Sequence, residues 1–238
     1  IREARDEKKR KRETEDKLEW TSRYGSVVTS AFEIASTDGM NEKGLVANLL
    51  WLPETEYPVR DKNKPGLAIT AWVQYMLDNF ATVEEAVAYI DEDTFQVVSD
   101  MMPDGSRLAT LHLSISDATG DCAIFEYVGG KLTVYHSKEY KVMTNSPTYN
   151  KQLALSEYWK SIGGLSFLPG TNRAADRFAR ASFYINALPE TDDEKIAVAS
   201  VFSVVRNASV PYGISTPESP EISTTQWRTV SESKNLRY

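Results

Sequence analysis

Residues 107–137 read RLATLHLSISDATGDCAIFEYVGGKLTVYHS, and this stretch decides the fold. Three strand-like runs, 107–117, 122–128 and 131–137, are separated only by the turns ATGD and GG. Tight glycine turns of this kind join antiparallel strands, whereas parallel strands need a crossover of a dozen or more residues. Residues 140–145, YKVMTN, extend the series. The sequence therefore predicts an antiparallel sheet in the middle of the chain.

Two more strands are predicted before this sheet. Residues 25–36, GSVVTSAFEIAS, and 44–52, GLVANLLWL, are rich in apolar and β-branched residues. The segment between them, TDGMNEK, contains Asp38, Asn41 and Glu42 and is typical of a turn. We therefore expect a hairpin whose turn spans 37–43.

Helices are predicted on both sides of the central sheet. Their positions are 67–80, a segment beginning at Thr82, 148–162, 174–188 and a segment beginning at Thr191. Thr82 and Thr191 are each followed three residues later by a glutamate, which is the pattern of a capping box. The tail, 222–238, returns to strand character. This order of elements indicates an α+β fold in which two antiparallel sheets carry helices on their outer faces.

The chain divides into a charged segment and one domain. Residues 1–17, IREARDEKKRKRETEDK, mix basic and acidic side chains and cannot bury a core, so we expect a solvated loop or tail. A basic arm for an acidic partner is the alternative, but the interspersed acids nearly cancel its charge. No repeat or low-complexity linker interrupts 18–238, which we interpret as a single domain.

Composition excludes several classes of function. The net charge is −7, whereas nucleic-acid and anionic-membrane binders need a basic surface. No run approaches the roughly 20 apolar residues that span a bilayer. His112 and His136 do not have metal-ligand spacing, so we expect no metal site. The single cysteine, Cys122, opens a strand, where a free cysteine is usually a small core residue.

Five segments in order resemble the choloylglycine hydrolase family, which includes bile salt hydrolases and penicillin V acylases. They are DGMNEKGLVANLLWLP (38–53), SDATGDCAIFEYVGGK (116–131), VMTNSPTYNKQL (142–153), LPGTNRAADRFARASFY (168–184) and SVVRNASVPYGIS (203–215), the last followed by TTQWRTV. The resemblance covers Leu18 to Tyr238 and implies an αββα sandwich of the N-terminal-nucleophile type. In that family an N-terminal cysteine attacks an amide carbonyl and its own α-amino group is the base.

The first residue here, Ile1, has no nucleophilic side chain. The resemblance therefore implies that the nucleophile is absent from this chain, that the chain alone is inactive, and that the fold is incomplete at both termini. No metal or organic cofactor is implied.

The resemblance also implies three site residues. Asn145, in VMTNSP, matches an asparagine whose amide helps to form the oxyanion hole, although a turn residue before Ser-Pro is the alternative. Arg206, in SVVRNAS, matches an arginine beside the nucleophile, although it could also stabilise a helix C-terminus. The tryptophan at position 51 resembles the Gram-negative branch of the family. In that branch the backbone N–H at this position is the second oxyanion donor, and the indole lines the acyl pocket. The alternative for Trp51 is a core aromatic residue. Asp176, Arg177 and Arg180 have helical spacing, and we interpret Asp176 and Arg180 as an exposed ion pair.

The expected activity is hydrolysis of a linear amide through a cysteine thioester. Penicillin V and N-acyl-homoserine lactones are better substrate candidates than bile salts, and the branch suggests a periplasmic homotetramer. One alternative is a non-catalytic remnant that binds acyl ligands. Another is an acid-ceramidase-like amidase, which would act on long-chain fatty amides.

Overall fold

The computed structural model describes residues 17–214 and 224–238. The strands are β1 (Ser26–Ala31), β2 (Ala35–Asn41), β3 (Val46–Trp51), β4 (Gly66–Ala68), β5 (Gln96–Val98), β6 (Leu111–Ser116), β7 (Cys122–Val128) and β8 (Lys131–His136). The helices are α1 (Trp72–Asn79), α2 (Val83–Asp91), α3 (Tyr149–Ile162), α4 (Ala174–Ala187) and α5 (Glu194–Asn207). Except for Lys17, the charged segment 1–17 lies outside the described residues, as does 215–223.

The main sheet is antiparallel and has the strand order β1-β2-β3-β6-β7-β8. This confirms the predicted α+β class and the hairpins β6–β7–β8, which follow from their glycine turns. The second sheet within the described ranges is a short parallel pair, β4–β5, and not a second antiparallel layer.

Two predicted strands are not formed where the structure describes them. Residues 141–144 have no regular structure, because the chain leaves the sheet after β8 and side chains bind its carbonyl groups. The described tail, 224–238, contains only an isolated bridge between Glu232 and Arg237. It is held to β2 mainly through side chains, because Trp227, Thr229 and Tyr238 donate hydrogen bonds to the carboxylate of Asp38.

The β1–β2 hairpin corrects the predicted turn. The backbone turns at Phe32 and Glu33, which have φ of 54° and 61°, and β2 continues through Asp38 to Asn41. Two successive residues with positive φ suit the right-handed twist of a hairpin, but Asn-Gly or Asp-Gly usually supplies them. The prediction missed this turn because Phe-Glu does not carry that signal. Of the predicted turn 37–43, only the end, Glu42 and Lys43, is a turn, and it leads into β3.

The two capping predictions have different outcomes. At α2, Glu85 N–H donates to Thr82 Oγ1 at 3.2 Å, which confirms Thr82 as the N-cap. The Glu85 carboxylate accepts at 2.8 Å from the N–H of Ala81, one residue before the cap, so the reciprocal half of the predicted box is shifted by one residue. The start of α5 at Thr191 was wrong, because Asp193 is the N-cap. Its carboxylate accepts from Lys195 N–H and Ile196 N–H, and a negative charge at this end also favours the helix dipole.

Helices cover both faces of the main sheet. The larger core packs α1 and α2 against one face, where Trp72, Leu113 and Phe125 are fully buried. A smaller core on the other face joins Ile124 of β7 to Tyr149 of α3 and Phe178 of α4. No helix in the described part of the chain is both long and apolar enough to span a bilayer. The packing brings the segment before α3 against the carboxyl end of β3.

Candidate active site

Asn145 lies where the segment before α3 crosses the end of β3. Its Nδ2 donates to the carbonyl oxygen of Trp51 at 2.7 Å, and its Oδ1 accepts from Arg177 Nη2 at 2.7 Å. These two partners fix which way the amide points. An asparagine amide has two N–H groups, and the second has no partner among the described residues. The half-buried side chain therefore presents one oriented donor.

Trp51 pairs with Leu111 of β6 on one side of β3, whereas the other edge of the strand is unpaired at this residue. Leu52 N–H donates to Thr110 O at 2.9 Å, so the preceding residue directs its own N–H and C=O to the opposite side of the strand. On that side, β2 pairs with β3 only as far as Asn48. The Trp51 N–H therefore lies on the same edge as the carbonyl that Asn145 binds.

The Trp51 indole is only partly buried. Its Nε1 donates to Thr110 Oγ1 at 3.1 Å, and the Arg107 guanidinium lies 3.9 Å from the ring centroid. A guanidinium over an indole face is an attractive cation–π contact. The ring is thus held at the end of the sheet between polar groups and is not enclosed in either core.

Arg177 is a residue of this cluster that sequence reasoning missed. It projects from α4, where Nε donates to Asn172 O at 3.0 Å while Nη2 binds Asn145. Burial, with a smaller contribution from Arg180, lowers the pKa of Arg177 from its usual value. The only hint in the sequence is its position in one of the five motifs, because a helical pattern does not show what a side chain faces.

The predicted ion pair between Asp176 and Arg180 is wrong. Arg180 is buried and donates to Asn207 Oδ1 at 3.0 Å and to the carbonyl groups of Pro169 and Thr171. Asp176 instead accepts a hydrogen bond from Thr171. The loop before α4 places these acceptors closer to Arg180 than the carboxylate one turn away.

The structure does not bring Arg206 into the same cluster. It lies exposed in the last turn of α5, and no hydrogen bond among the described residues joins it to Asn145, Trp51 or Arg177. Its role beside a nucleophile stays a prediction.

Cys122 has the properties of an unreactive thiol. Burial raises the pKa of this thiol, and the carboxylates of Asp121 and Asp117 raise it further. A thiolate is the nucleophilic form, so this environment disfavours attack by Cys122.

A cavity of about 410 Å³ lies apart from the Asn145 cluster. Residues of α2, β5 and the β7–β8 hairpin line it, and none of Asn145, Trp51 and Arg177 does. Within 17–214 and 224–238, no group of three or more His, Cys, Asp or Glu residues could hold a metal ion.

The Asn145 cluster has the chemistry of a site that binds an anion. The amide of Asn145, the strand edge at Trp51 and the guanidinium of Arg177 can stabilise a developing negative charge on oxygen.

Comparisons with known proteins agree with this chemistry. The family model of linear amide C–N hydrolases, choloylglycine hydrolase family, matches residues 3–238. Penicillin V acylase of Pectobacterium atrosepticum is 53% identical over 93% of this chain and 64% of its own length. Bile salt hydrolase/transferase of Clostridium perfringens is 29% identical over 83% of this chain and 67% of its own length.

Solved structures give the same result. Penicillin V acylase from Agrobacterium tumefaciens superposes with a TM-score of 0.84 at 57% identity, over 92% of this chain and 66% of that one. A mutant of conjugated bile acid hydrolase from Clostridium perfringens has a TM-score of 0.71 at 26% identity, over 86% of this chain and 69% of that one. The chain thus spans just under two thirds of the two penicillin V acylases. These neighbours confirm the fold of N-terminal-nucleophile hydrolases, of which the described ranges form one of the two predicted antiparallel sheets.

Proposed function

The chain belongs to the choloylglycine hydrolase family of linear amide C–N hydrolases, and we propose that it forms most of the active site of an acylase. The reaction is hydrolysis of the bond between an acyl group and an amine. The observation that carries the proposal is the orientation of Asn145 between Trp51 and Arg177.

The proposed mechanism has two steps. A cysteine thiol at a mature N-terminus transfers its proton to its own α-amino group and attacks the amide carbonyl, so that an S–C bond forms. The C–N bond then breaks, and the amine leaves with that proton. Water attacks the thioester, which releases the acid and restores the thiol.

Asn145 and Trp51 act on the carbonyl oxygen in both steps. As the tetrahedral intermediate forms, this oxygen becomes negative, and donors already in place stabilise it without reorganising. The free Nδ2–H of Asn145 is one donor. The backbone N–H of Trp51, on the same strand edge, is the other.

Arg177 positions and polarises the Asn145 amide. Its guanidinium binds Oδ1, which draws electron density from the amide and strengthens its N–H as a donor. The geometry therefore favours Arg177 as the arginine of the site. Arg206 is the alternative that the sequence resemblance implies.

Penicillin V and N-acyl-homoserine lactones are the proposed substrates. The support is the similarity to two proteins named as penicillin V acylases, which exceeds the similarity to the bile salt hydrolase. The aromatic Trp51 also provides a flat apolar surface for an acyl group. A periplasmic homotetramer is proposed only from the resemblance to the same branch, and light scattering of the purified protein tests the tetramer.

The test uses the chain itself and a chimera. The chimera joins the chain to those parts of the Pectobacterium relative that lie outside their match. We expect the chimera to release 6-aminopenicillanic acid from penicillin V, and the chain alone to be inactive. Hydrolysis by the chain that disappears in Cys122→Ala would contradict the proposed nucleophile.

The other assignments make different predictions for the chimera. An acyl-binding remnant would bind penicillin V in calorimetry without releasing the amine. An acid-ceramidase-like amidase would prefer long-chain fatty amides over penicillin V.

A further inference from the structure

We propose that His112 and Glu126, which are fully buried, form a hydrogen-bonded couple that fixes the position of Asn145 through the backbone next to it. This inference rests on the proposed role of Asn145 as an oxyanion donor. The couple does not touch the substrate, so the two are positioning residues.

A chain of hydrogen bonds connects the couple to the Asn145 segment. His112 Nε2 lies 2.9 Å from the carbonyl oxygen of Thr144, the residue before Asn145. His112 Nδ1 lies 2.8 Å from Glu126 Oε1, and Glu126 Oε2 accepts from Tyr149 N–H at 2.9 Å. Both side chains have 0% exposure, so water does not compete for these partners. The couple thus holds both the segment before Asn145 and the first residue of α3.

The partners determine where the protons lie. A carbonyl oxygen only accepts, so His112 Nε2 carries a hydrogen. One further proton lies between Nδ1 and Oε1, either on the imidazole of an ion pair or on the acid of a neutral pair. Both arrangements have the same net charge and the same hydrogen bonds. The hydrogen bonds that hold the segment are therefore the same in both arrangements.

Gln152 fixes the other side of the same segment. Its Oε1 accepts from Thr144 Oγ1 at 2.9 Å, and its Nε2 donates to Pro147 O at 2.7 Å and to Asn145 O. Gln152 is also fully buried. The backbone on both sides of Asn145 is consequently held by side chains whose own hydrogen-bonding groups are used.

This arrangement is important for function because the reaction rate depends on small displacements of an oxyanion donor. A shift of about 1 Å away from the reacting atoms can cost roughly 100-fold in rate. The segment has no regular secondary structure, so a backbone ladder does not hold it. The buried couple and Gln152 replace that ladder.

Two substitutions of Glu126 separate geometry from charge. In Glu126→Gln, the new amide can donate to His112 Nδ1 while its oxygen accepts from Tyr149 N–H, so every hydrogen bond survives without a charge. In Glu126→Asp, the charge survives, but the side chain is one methylene shorter and cannot reach both partners. A positioning couple should tolerate the first change and suffer from the second.

Nuclear magnetic resonance of the 238-residue chain gives an activity-independent readout. The Asn145 side-chain amide, assigned by its loss in Asn145→Ala, should keep its chemical shifts in Glu126→Gln. In Glu126→Asp the shifts should change, because the amide loses its fixed position between Trp51 and Arg177. Unchanged shifts in a folded Glu126→Asp variant, or loss of folding in Glu126→Gln, would overturn the proposal.

Kinetics of the chimera provide the second readout. We expect Glu126→Asp to lower kcat roughly tenfold or more with little change in KM, and to add no further loss in the Asn145→Ala background. Glu126→Gln should stay close to the unsubstituted protein. A larger fall of kcat in Glu126→Gln than in Glu126→Asp would mean that the couple works through its charge or proton. A further fall of kcat when Glu126→Asp is added to Asn145→Ala would mean that the couple does not act through Asn145. An inactive chimera would contradict the proposed function, and the resonance experiment would still decide the positioning role.

Discussion

Arg177 and Asn145 lie 32 residues apart in sequence, yet the guanidinium Nη2 is 2.7 Å from the amide Oδ1. This contact turns the amide nitrogen towards Trp51, whose carbonyl oxygen accepts one of its two hydrogens. The same amide rotated by half a turn would direct its oxygen at another oxygen. Arg177 therefore selects the orientation in which Asn145 is a donor.

The first prediction concerns Asn145 itself. In the chimera, Asn145→Ala should lower kcat roughly 100- to 1000-fold, as expected when one oxyanion donor is deleted, while KM changes little. Steady-state kinetics with penicillin V measure this. Asn186→Ala, on the exposed face of α4, is the matched control and should retain the original rate. An unchanged kcat in Asn145→Ala would remove this residue from the site.

The second prediction separates the two arginines. Arg177→Gln removes a charged hydrogen bond to Asn145 and should lower kcat roughly 10- to 100-fold. Arg206→Gln, at an exposed helix end, should leave kcat nearly unchanged. The opposite result would restore Arg206 as the arginine beside the nucleophile. In that case Arg206→Gln should also shift the rise of activity to higher pH, because a cation that stabilises the thiolate has been lost.

The third prediction tests whether the Trp51 indole lines the acyl pocket. If it does, Trp51→Ala should change the ratio of kcat/KM between penicillin V and an alkyl-chain homoserine lactone, because only some acyl groups touch the ring. If the ring serves only packing, the change should cost roughly 3 to 5 kcal/mol of stability and impair all substrates together. Thermal unfolding measured alongside the kinetics separates the outcomes. Trp51→Phe, which keeps a ring but loses the hydrogen bond to Thr110, is the control.

The fourth prediction concerns the pH dependence of Cys122. Because burial and two nearby carboxylates raise its pKa, the folded protein holds less thiolate at a given pH than the unfolded chain. Alkylation by iodoacetamide, followed by mass spectrometry, should be slower in the native protein than in urea and should accelerate as the pH rises. Cys122→Ala should leave the chimera active. Faster alkylation in the native state would indicate an activated thiol.

The fifth prediction concerns stability at Gly39, where β1 and β2 approach closely. A Cβ at this position would lie 2.5 Å from Val27 O and 2.8 Å from Val28 Cγ1. The backbone oxygen cannot move without disturbing the hairpin, so Gly39→Ala should destabilise the protein by roughly 1 to 3 kcal/mol. Urea unfolding of the 238-residue chain measures this. Gly170→Ala is the control, because a Cβ there meets nothing within 4 Å. Equal stability of the two variants would contradict the close approach.

Local signals explain which parts of the fold were predictable. The hairpins β6–β7–β8 and the N-cap at Thr82 depend on residues close together in sequence, so local patterns predicted them. The turn at Phe32 and Glu33 depends on positive φ in residues that rarely adopt it, so no local pattern indicates it. The α5 cap was missed because Asp193 and Thr191 are both good capping residues, and only the structure shows which one reaches the free N–H groups.

The site was predictable only through the family resemblance. Asn145 and Trp51 were located by their motifs, and the structure places them in contact. Arg177 was overlooked because its helical spacing shows only where it lies relative to Asp176 and Arg180. That spacing does not show which loop its side chain contacts. In sequence, His112 and Glu126 look like ordinary strand residues. The alternation of side chains along a strand shows which face of the sheet each one occupies, but not which partner it contacts.

The contacts of Asn145 have a consequence for how this molecule assembles. Its partners lie 94 residues before it and 32 after it, with no shared helix or hairpin to bring them together. Such non-local pairings form late, because distant segments must first lose chain entropy to meet. The donor is therefore aligned only once the sheet and α4 have docked. In the chimera, activity should therefore return later than the helical signal during refolding, because the oxyanion donor is aligned only after the elements that carry it have packed together.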